Sequence, residues 1–348
     1  MILKELSEAI GVSGNEGAVR KIIADAVRAH VDELRSDTIG NLFAVKRARG
    51  ARRASHGFKV MVAAHMDEVG LMIVGYDSSG GLRFRPVGGI DDRVLAGKTF
   101  FVGPDNIPGV IGVKPVHLLK EDERKQVVKM DSMVIDIGAA SKEEAEKLVK
   151  VGQVAAFTTR YNRVGRTATG KAFDDRAGCA ALVELLCETG GRFPFELHAV
   201  FTVQEEVGLR GARVAASAVE PDCAFALEGT ICDDMPKDKD TSPTTELGKG
   251  PAITLMDRSV LAHRGMVDHL VATAEKLNIP YQFKQPGIGG TDAGAISRSK
   301  VGVPSVAVAV PCRYIHSPVA RLSLDDYDNT VKLMRESLKR LTPDVLKR

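Results

Sequence analysis

No tryptophan occurs in this chain, and aromatic residues make up only 5% of it. Platforms on which bases or sugars could stack are therefore scarce. Charge of one sign is also missing: 48 Lys and Arg face 45 Asp and Glu, a net charge of +3. So small a balance excludes a nucleic-acid partner or a polybasic contact with a membrane surface as the expected function. No apolar run approaches the roughly 20 residues that a membrane span requires; the longest, Val301 to Val310, contains Pro304. The five cysteines (Cys179, Cys187, Cys223, Cys232 and Cys312) are odd in number, lie far apart and form no CxxC pair. That spacing argues against a disulfide framework or a cysteine-rich zinc site. Residues Met1 to Leu6 carry charges where a secretory signal has an apolar core, so the expected compartment is the reducing cytoplasm.

What remains is the composition of a globular protein: 348 residues, 44% hydrophobic and 27% charged, with 34 glycines. The length suits two domains, or one large domain with an insertion. Ser13 and Glu16 stand in capping-box relation ahead of apolar residues at helical spacing, Val19 to Val31, which predicts a helix. Leu42–Val45 and Phe58–Ala64 read as strands, the second apolar enough to be buried on both faces. The texture then changes. As far as Asn162 the chain is rich in Gly, Val and turn residues, which predicts a small β module with one helix over Ser141–Val149. Within it, Lys120–Lys129 alternates in charge sign and reads as a solvated loop. Helices over Asp175–Thr189, Val260–Leu277 and Asp325–Leu341 then alternate with strands over His198–Val203, Cys223–Leu227 and Ser305–Val310. That pattern predicts an α/β sheet with helices on both faces. The expected parse is one α/β domain made of 1–67 and 163–348, interrupted by a β-rich insert over 68–162.

Residues that can carry chemistry cluster at the predicted strand ends. His65 and Asp67 follow the buried strand and are two apart, so in extended backbone they point to one side. His65 can bind a metal while Asp67 steers its ring. Asp174 and Asp175 open a predicted helix, where acids satisfy free amides and the macrodipole; a single carboxylate can also bridge two cations. Glu205 and Glu206 follow an apolar strand and project in different directions, so one can coordinate while the other moves protons. Glu228 and His316 stand in similar places. His30, His263 and His269 lie in helical patterns, His198 begins a strand, and His56 and His117 fall in loops. The glycine-rich stretch Pro286–Ala295 does not follow a first strand, which excludes a dinucleotide fingerprint, and Thr291 or Asp292 is expected to cap the next helix. No GxxxxGK[ST] or GxSxG occurs. Taken together, His65, Asp174, Glu206, Glu228 and His316 suit a pair of borderline divalent ions such as zinc, cobalt or manganese, with Glu205 as the spare carboxylate.

These stretches resemble the M42 family of metallo-aminopeptidases, the tetrahedral and glutamyl aminopeptidase group. The matching segments are AAHMDEVG (63–70), FDDRAG (173–178), QEEVGLRGA (204–212), LEGT (227–230), GGTDAG (289–294) and YIHSP (314–318), with more along the β module. Ala320 departs from the pattern, which has an acid shortly after HSP, and Glu228 stands where many members carry Asp. The resemblance implies a two-metal aminopeptidase that removes the N-terminal residue of short peptides. Asp174 would bridge the ions, His65 and Glu228 would complete one shell, and Glu206 and His316 the other. Glu205 would be the general base toward a hydroxide between the ions, with Asp67 behind His65. It further implies a PDZ-like dimerisation domain over 68–162 and dimers assembling into a tetrahedral dodecamer. Competing readings are another two-metal amide hydrolase (a carboxypeptidase or deacylase), a metal-independent glycosidase, and a non-enzymatic interaction protein. A requirement for a free substrate amino terminus separates the first of these.

Overall fold

The computed structural model describes residues 2–49, 57–188, 193–235 and 244–347. The chain opens with helices α1 (Ile2–Glu8) and α2 (Gly17–Val27) and strands β1 (Glu33–Ser36), β2 (Leu42–Lys46) and β3 (Lys59–His65). Strands β4 (Gly70–Tyr76), β5 (Leu82–Val87), β6 (Thr99–Val102) and β7 (Ile107–Val110), helix α3 (Lys142–Leu148) and strand β8 (Val154–Phe157) follow. Next come β9 (Asn162–Val164), β10 (Thr167–Gly170), α4 (Phe173–Glu188), β11 (Glu196–Thr202), α5 (Arg210–Val219), β12 (Cys223–Cys232) and β13 (Ala252–Thr254). The chain closes with α6 (Arg264–Lys276), β14 (Gln282–Lys284), α7 (Asp292–Ser297), β15 (Ser305–Arg313), β16 (Ala320–Ser323) and α8 (Leu324–Arg340).

The large sheet runs β1-β2-β11-β3-β12-β15-β16-β10-β9, with β13 on β15 and β14 on β13. Its centre, β11-β3-β12-β15, is parallel, and the flanking pairs are antiparallel apart from β13–β14. The sheet is therefore mixed. The unbroken apolar run of β3 follows from this position: Val60, Val62 and Ala64 join the core under α1, α2, α4, α6 and α8, while Met61 and Ala63 join the core under α5 and α7. Helices cover both faces, as the alternation predicts. The small sheet, β5-β4-β8-β6-β7, is wholly antiparallel and packs its own core around Leu71, Ile73, Phe84, Phe100 and Phe157. Helix α3 is capped as its sequence suggests, Ser141 Oγ accepting from the Glu144 amide. Lys120–Lys129 is almost wholly exposed. No helix of the described residues is long and apolar enough to cross a membrane.

Four sequence expectations are corrected. Ser13 and Glu16 do not form a capping box: α2 starts without a side-chain cap, and both side chains turn to other partners, described below. Helix α6 starts at Arg264 rather than Val260, because Asp257 Oδ1 takes the Ser259 and Val260 amides into a local turn. His263 therefore precedes the helix. Strand β12 extends to Cys232, since β15 pairs with it as far as Arg313, so Glu228 sits inside a strand rather than at its end. Neither Thr291 nor Asp292 caps α7 through its side chain; Thr291 Oγ1 donates to Asp257 Oδ2 instead. Of the earlier expectations, Thr189 and His56 lie outside the described residues.

Candidate active site

The parallel strands β3, β11, β12 and β15 deliver their C-terminal ends to one edge of the sheet, where open α/β folds hold ligands. His65 ends β3 and is 1% exposed. Its Nε2 lies 3.2 Å from Asp174 Oδ1, 3.7 Å from Glu228 Oε2 and 3.9 Å from Glu205 Oε2. On the other side, His316 Nε2 lies 3.4 Å from Asp174 Oδ2 and 3.2 Å from Glu206 Oε2. The two oxygens of Asp174 are thus divided between two imidazoles, each backed by a further glutamate. All seven residues singled out in the sequence meet here.

The Asp174–Asp175 pair divides the labour that the sequence left open. Asp175 Oδ1 accepts from the Gly178 amide at 2.8 Å, the helix-capping role, and its Oδ2 accepts from the His65 amide at 3.0 Å. Asp174 is left free to face the histidines; both residues have non-helical dihedrals, and the peptide between them is cis. Behind Asp174 runs β12, where a Cβ at Gly229 would sit 2.7 Å from Asp174 Cα and 2.7 Å from the Phe173 carbonyl oxygen. Only glycine permits that approach.

Asp67 is fully buried, and its Oδ1 is 3.3 Å from His65 Nδ1, in contact without hydrogen-bond alignment. It accepts from the amides of Glu205 (3.0 Å) and Glu206 (3.1 Å) and from Ser13 Oγ (2.6 Å). Glu16 Oε1 accepts from the Gln204 amide, and Asn41 bridges the Val203 amide and the Gly211 carbonyl. These contacts hold the turn that carries the glutamates, in which Gln204 and Leu209 adopt left-handed φ of 56° and 57°. His316 is also left-handed, at 56°, and its Nδ1 is 2.9 Å from the Gly89 carbonyl oxygen. A proton on Nδ1 would leave Nε2 facing Asp174 and Glu206. Asp292 donates its amide to Glu228 Oε1 at 3.2 Å and accepts from Thr202 Oγ1. Sequence reading missed Ser13, Glu16, Asn41, Gly89 and Asp292 as supports, because each acts through a long-range contact. The sequence marks Ser13 and Glu16 for a capping box and Asp292 within GGTDAG, but none of them as a support of the site. Ala320 is a buried position of β16 opposite Gly170 and packs into the main core.

The electrostatics define what this cluster accepts. Burial pushes Glu205 and Glu228 well above the usual carboxylate range and raises Glu206 to about 7. Burial opposes charging of His316, but Asp174 and Glu206 outweigh it and lift the ring to about 9. For Asp174, the hydrogen bonds from His316 and His65 overcome burial and hold the carboxyl far below its ordinary value. Buried carboxylates outnumber the imidazoles, and Glu206 Oε1 is buried with no hydrogen-bond partner among the described residues. Ligand atoms of His65, Asp174 and Glu206 lie within 4.8 Å of one another, as do those of His65, Asp175 and Glu228. Nitrogen and carboxylate donors in this number fit divalent cations of borderline hardness. Beside the cluster opens a cleft of about 620 Å³, lined by Glu205, Glu228, Gly289, Thr291 and Tyr314 among others.

A model of the M42 glutamyl aminopeptidase family matches residues 40–333. The chain belongs to that family. It is an enzyme of the peptide-hydrolase class, since the family and its characterised relatives are named as aminopeptidases. A lysyl aminopeptidase of Pyrococcus furiosus is 34% identical over 349 residues, covering 98% of this chain and 97% of the relative. Among solved structures, a TET aminopeptidase from a marine sediment Thaumarchaeota archaeon superposes with a TM-score of 0.92 at 38% identity, covering 99% of this chain and 98% of that one. A TET peptidase of Pyrococcus horikoshii, which can assemble into a tetrahedron or a large octahedral shell, gives 0.85 at 38% identity, covering 97% and 98%. This M42 chain thus shares the mixed α/β fold of the TET aminopeptidases along almost its whole length.

Proposed function

We propose that this protein is a two-metal aminopeptidase that removes the first residue of short peptides. The observation that carries the reading is the division of the Asp174 carboxylate between His65 and His316, 3.2 Å and 3.4 Å away. His65 and Glu228 would hold one divalent ion, Glu206 and His316 the second, and Asp174 both; zinc or cobalt suits this set, and manganese is compatible with it. Such ions, when bound, make a water more acidic and polarise a carbonyl oxygen.

Glu205 is the proton carrier in this reading. Its carboxylate lines the cleft, and no hydrogen bond among the described residues holds it. Burial raises its proton affinity, so it takes a proton from the attacking water and returns it to the departing amine. Asp67 holds Glu205 by its backbone, which leaves the side chain free to move between those tasks.

The small sheet is the second part of the proposal. With its own core, residues 68–162 serve as a PDZ-like inserted domain used in dimerisation, and dimers assemble toward a tetrahedral dodecamer. Supporting this are side chains left exposed on that unit: Val113, Val116, Leu118, Val127 and Val128, with Leu118 at 65%. The TET relatives' assemblies point the same way.

The test is hydrolysis of aminoacyl p-nitroanilides by protein stripped of metal and then supplied with zinc, cobalt or manganese. Turnover is expected only with metal and only on substrates with a free amine. Equal cleavage of N-acetylated anilides would overturn the need for a free amine, and release of acetate, or of the last residue from N-blocked peptides, would favour a deacylase or a carboxypeptidase instead. Light scattering on the purified protein checks the assembly.

A further inference from the structure

The GGTDAG segment supplies neither a ligand nor the proton carrier of the proposed site, although Gly289, Gly290 and Thr291 line its cleft. Thr291 and Asp292 stand at the start of α7, yet neither side chain caps it. Both are buried, at 5% and 1% exposure, and both are turned to other elements. Thr291 Oγ1 donates to Asp257 Oδ2 at 3.1 Å, and the Thr291 amide donates to Ser259 Oγ at 3.1 Å. Ser259 Oγ in turn donates to Asp257 Oδ1 at 2.8 Å, and a methyl group at Gly294 would collide with Ser259. The first turn of α7 is thereby bolted to the turn that begins at Asp257.

Asp292 carries that fixed point into the site. Its Oδ2 accepts from Thr202 Oγ1 at the end of β11, and Thr202 stands opposite His65 in the parallel register. The Asp292 amide donates to Glu228 Oε1 at 3.2 Å. Glu228 therefore has one oxygen held by α7 and the other, Oε2, 3.7 Å from His65 Nε2. A glutamate side chain turns about several bonds, and an untied one can offer either oxygen, or both, to a cation. The tie to Asp292 removes that choice. Among the described residues, the Asp292 side chain is in neither group whose ligand atoms converge within 4.8 Å. Its reach into the site runs through Glu228.

We propose that Asp292 is a positioning residue that makes Glu228 present a single oxygen, Oε2, to the ion it would share with His65. The inference rests on the two-metal reading above. The anchors of Asp292 are Thr202 and, through Thr291, Asp257. Without them its amide is free to drift, and the orientation of Glu228 drifts with it. The Glu206 and His316 side of the cluster keeps its own supports, Asp67 beneath the Glu206 amide and the Gly89 carbonyl behind the His316 ring. The loss should therefore fall on one ion and spare the other.

Zinc binding to metal-stripped protein, followed by calorimetry, tests this without substrate. Asp292→Ala is expected to weaken one binding event by about 10–100-fold, as for other groups that orient metal ligands, and to leave the second nearly unchanged. Glu228→Ala should weaken the same event and His316→Ala the other. Asp292→Asn, which keeps an oxygen for Thr202, should recover most of the loss. Thr202→Val, close in size to the native residue, should reproduce it, and takes the place of Asp292→Ala if that variant does not fold. The deciding measurement is the double variant. If Asp292 acts through Glu228, adding Asp292→Ala to Glu228→Ala lowers affinity no further, whereas a general loosening of the fold would add its full effect again. Additive losses, equal weakening of both events, or wild-type affinity in both Asp292→Ala and Thr202→Val would overturn the assignment. A wild-type protein that binds one ion only would undo the two-metal reading, and the same cycle on that ion would still decide the role of Asp292.

Discussion

Asp67 accepts the Glu205 amide at 3.0 Å while the same oxygen lies 3.3 Å from the His65 ring. One buried carboxylate therefore sets both the nearest imidazole and the backbone of the proposed proton carrier, from strands β3 and β11. In Asp67→Asn the amide group can present an oxygen to only one side. The other side then meets NH₂ where it needs an acceptor. A loss of about 10–100-fold in kcat or metal affinity is expected, as for other groups that orient metal ligands. Steady-state kinetics together with metal analysis reads it out; wild-type values for both would remove Asp67 from the positioning role.

Glu205→Gln should lose turnover almost completely while binding as much metal as wild type. Glutamine keeps the size of the side chain and cannot accept the proton. Near-normal kcat in a metal-replete variant would sink the assignment of Glu205.

Metal removal should also be visible without substrate. The clustered acids Glu206, Glu228 and Asp174 are buried together, so cations that bind only the folded state stabilise it. At ligand concentrations one hundred times Kd the gain is about 2.7 kcal/mol per site. Differential scanning fluorimetry with zinc or cobalt should show a rise in Tm that Asp174→Asn greatly reduces. An equal rise in that variant would place the ions elsewhere.

Glu68 receives two cations below the site. Lys171 Nζ is 2.7 Å from both of its oxygens, and Arg176 Nη2 is 3.3 Å from Oε1, all three side chains being buried. Glu68→Gln removes the only negative charge of this trio, and about 3–5 kcal/mol of stability should go with it. Urea denaturation measures the loss. A change below about 1 kcal/mol would mean that the trio is solvated or relaxes freely.

Asp234 pairs with Arg313 at the end of β15, three residues before His316. Hydrogen bonds from Arg313 hold Asp234 down to about 2 against an ordinary 3.8. The folded value is the lower one, so the pair's contribution is complete above about pH 4 and fades as pH falls toward 2. The stability difference between wild type and Asp234→Asn should shrink over that window. A difference that stays constant between pH 5 and 2.5 would show that the pair is not titrating as described.

How much of this was legible beforehand depended on the range of each interaction. His65 could be found because a strand end and a polar turn are local signals, and the apolar run of β3 announced its burial on both faces. Asp174 and Asp175 were recognised as a pair. Which one caps the helix and which faces the site is decided by strand β12 passing against Asp174, a contact between segments far apart in sequence. Ser13 and Glu16 illustrate the opposite failure. Their spacing fits a local capping box, but Asp67 and the backbone of Gln204 offer better partners, and tertiary contacts won. The role of Gly89 was invisible for the same reason: a carbonyl oxygen from the small-sheet segment orients a ring 227 positions away.

Glu228 and Gly229 are neighbours with different tolerances. The carboxylate of Glu228 reaches into the cluster as a side chain and is open to exchange for a shorter acid. Its neighbour is fixed, because β12 lies against the backbone of Asp174 with no room for a methyl group. Anyone re-engineering this enzyme for new substrates should therefore leave the backbone beneath the cleft at Gly229 alone and vary the side chains that line its walls.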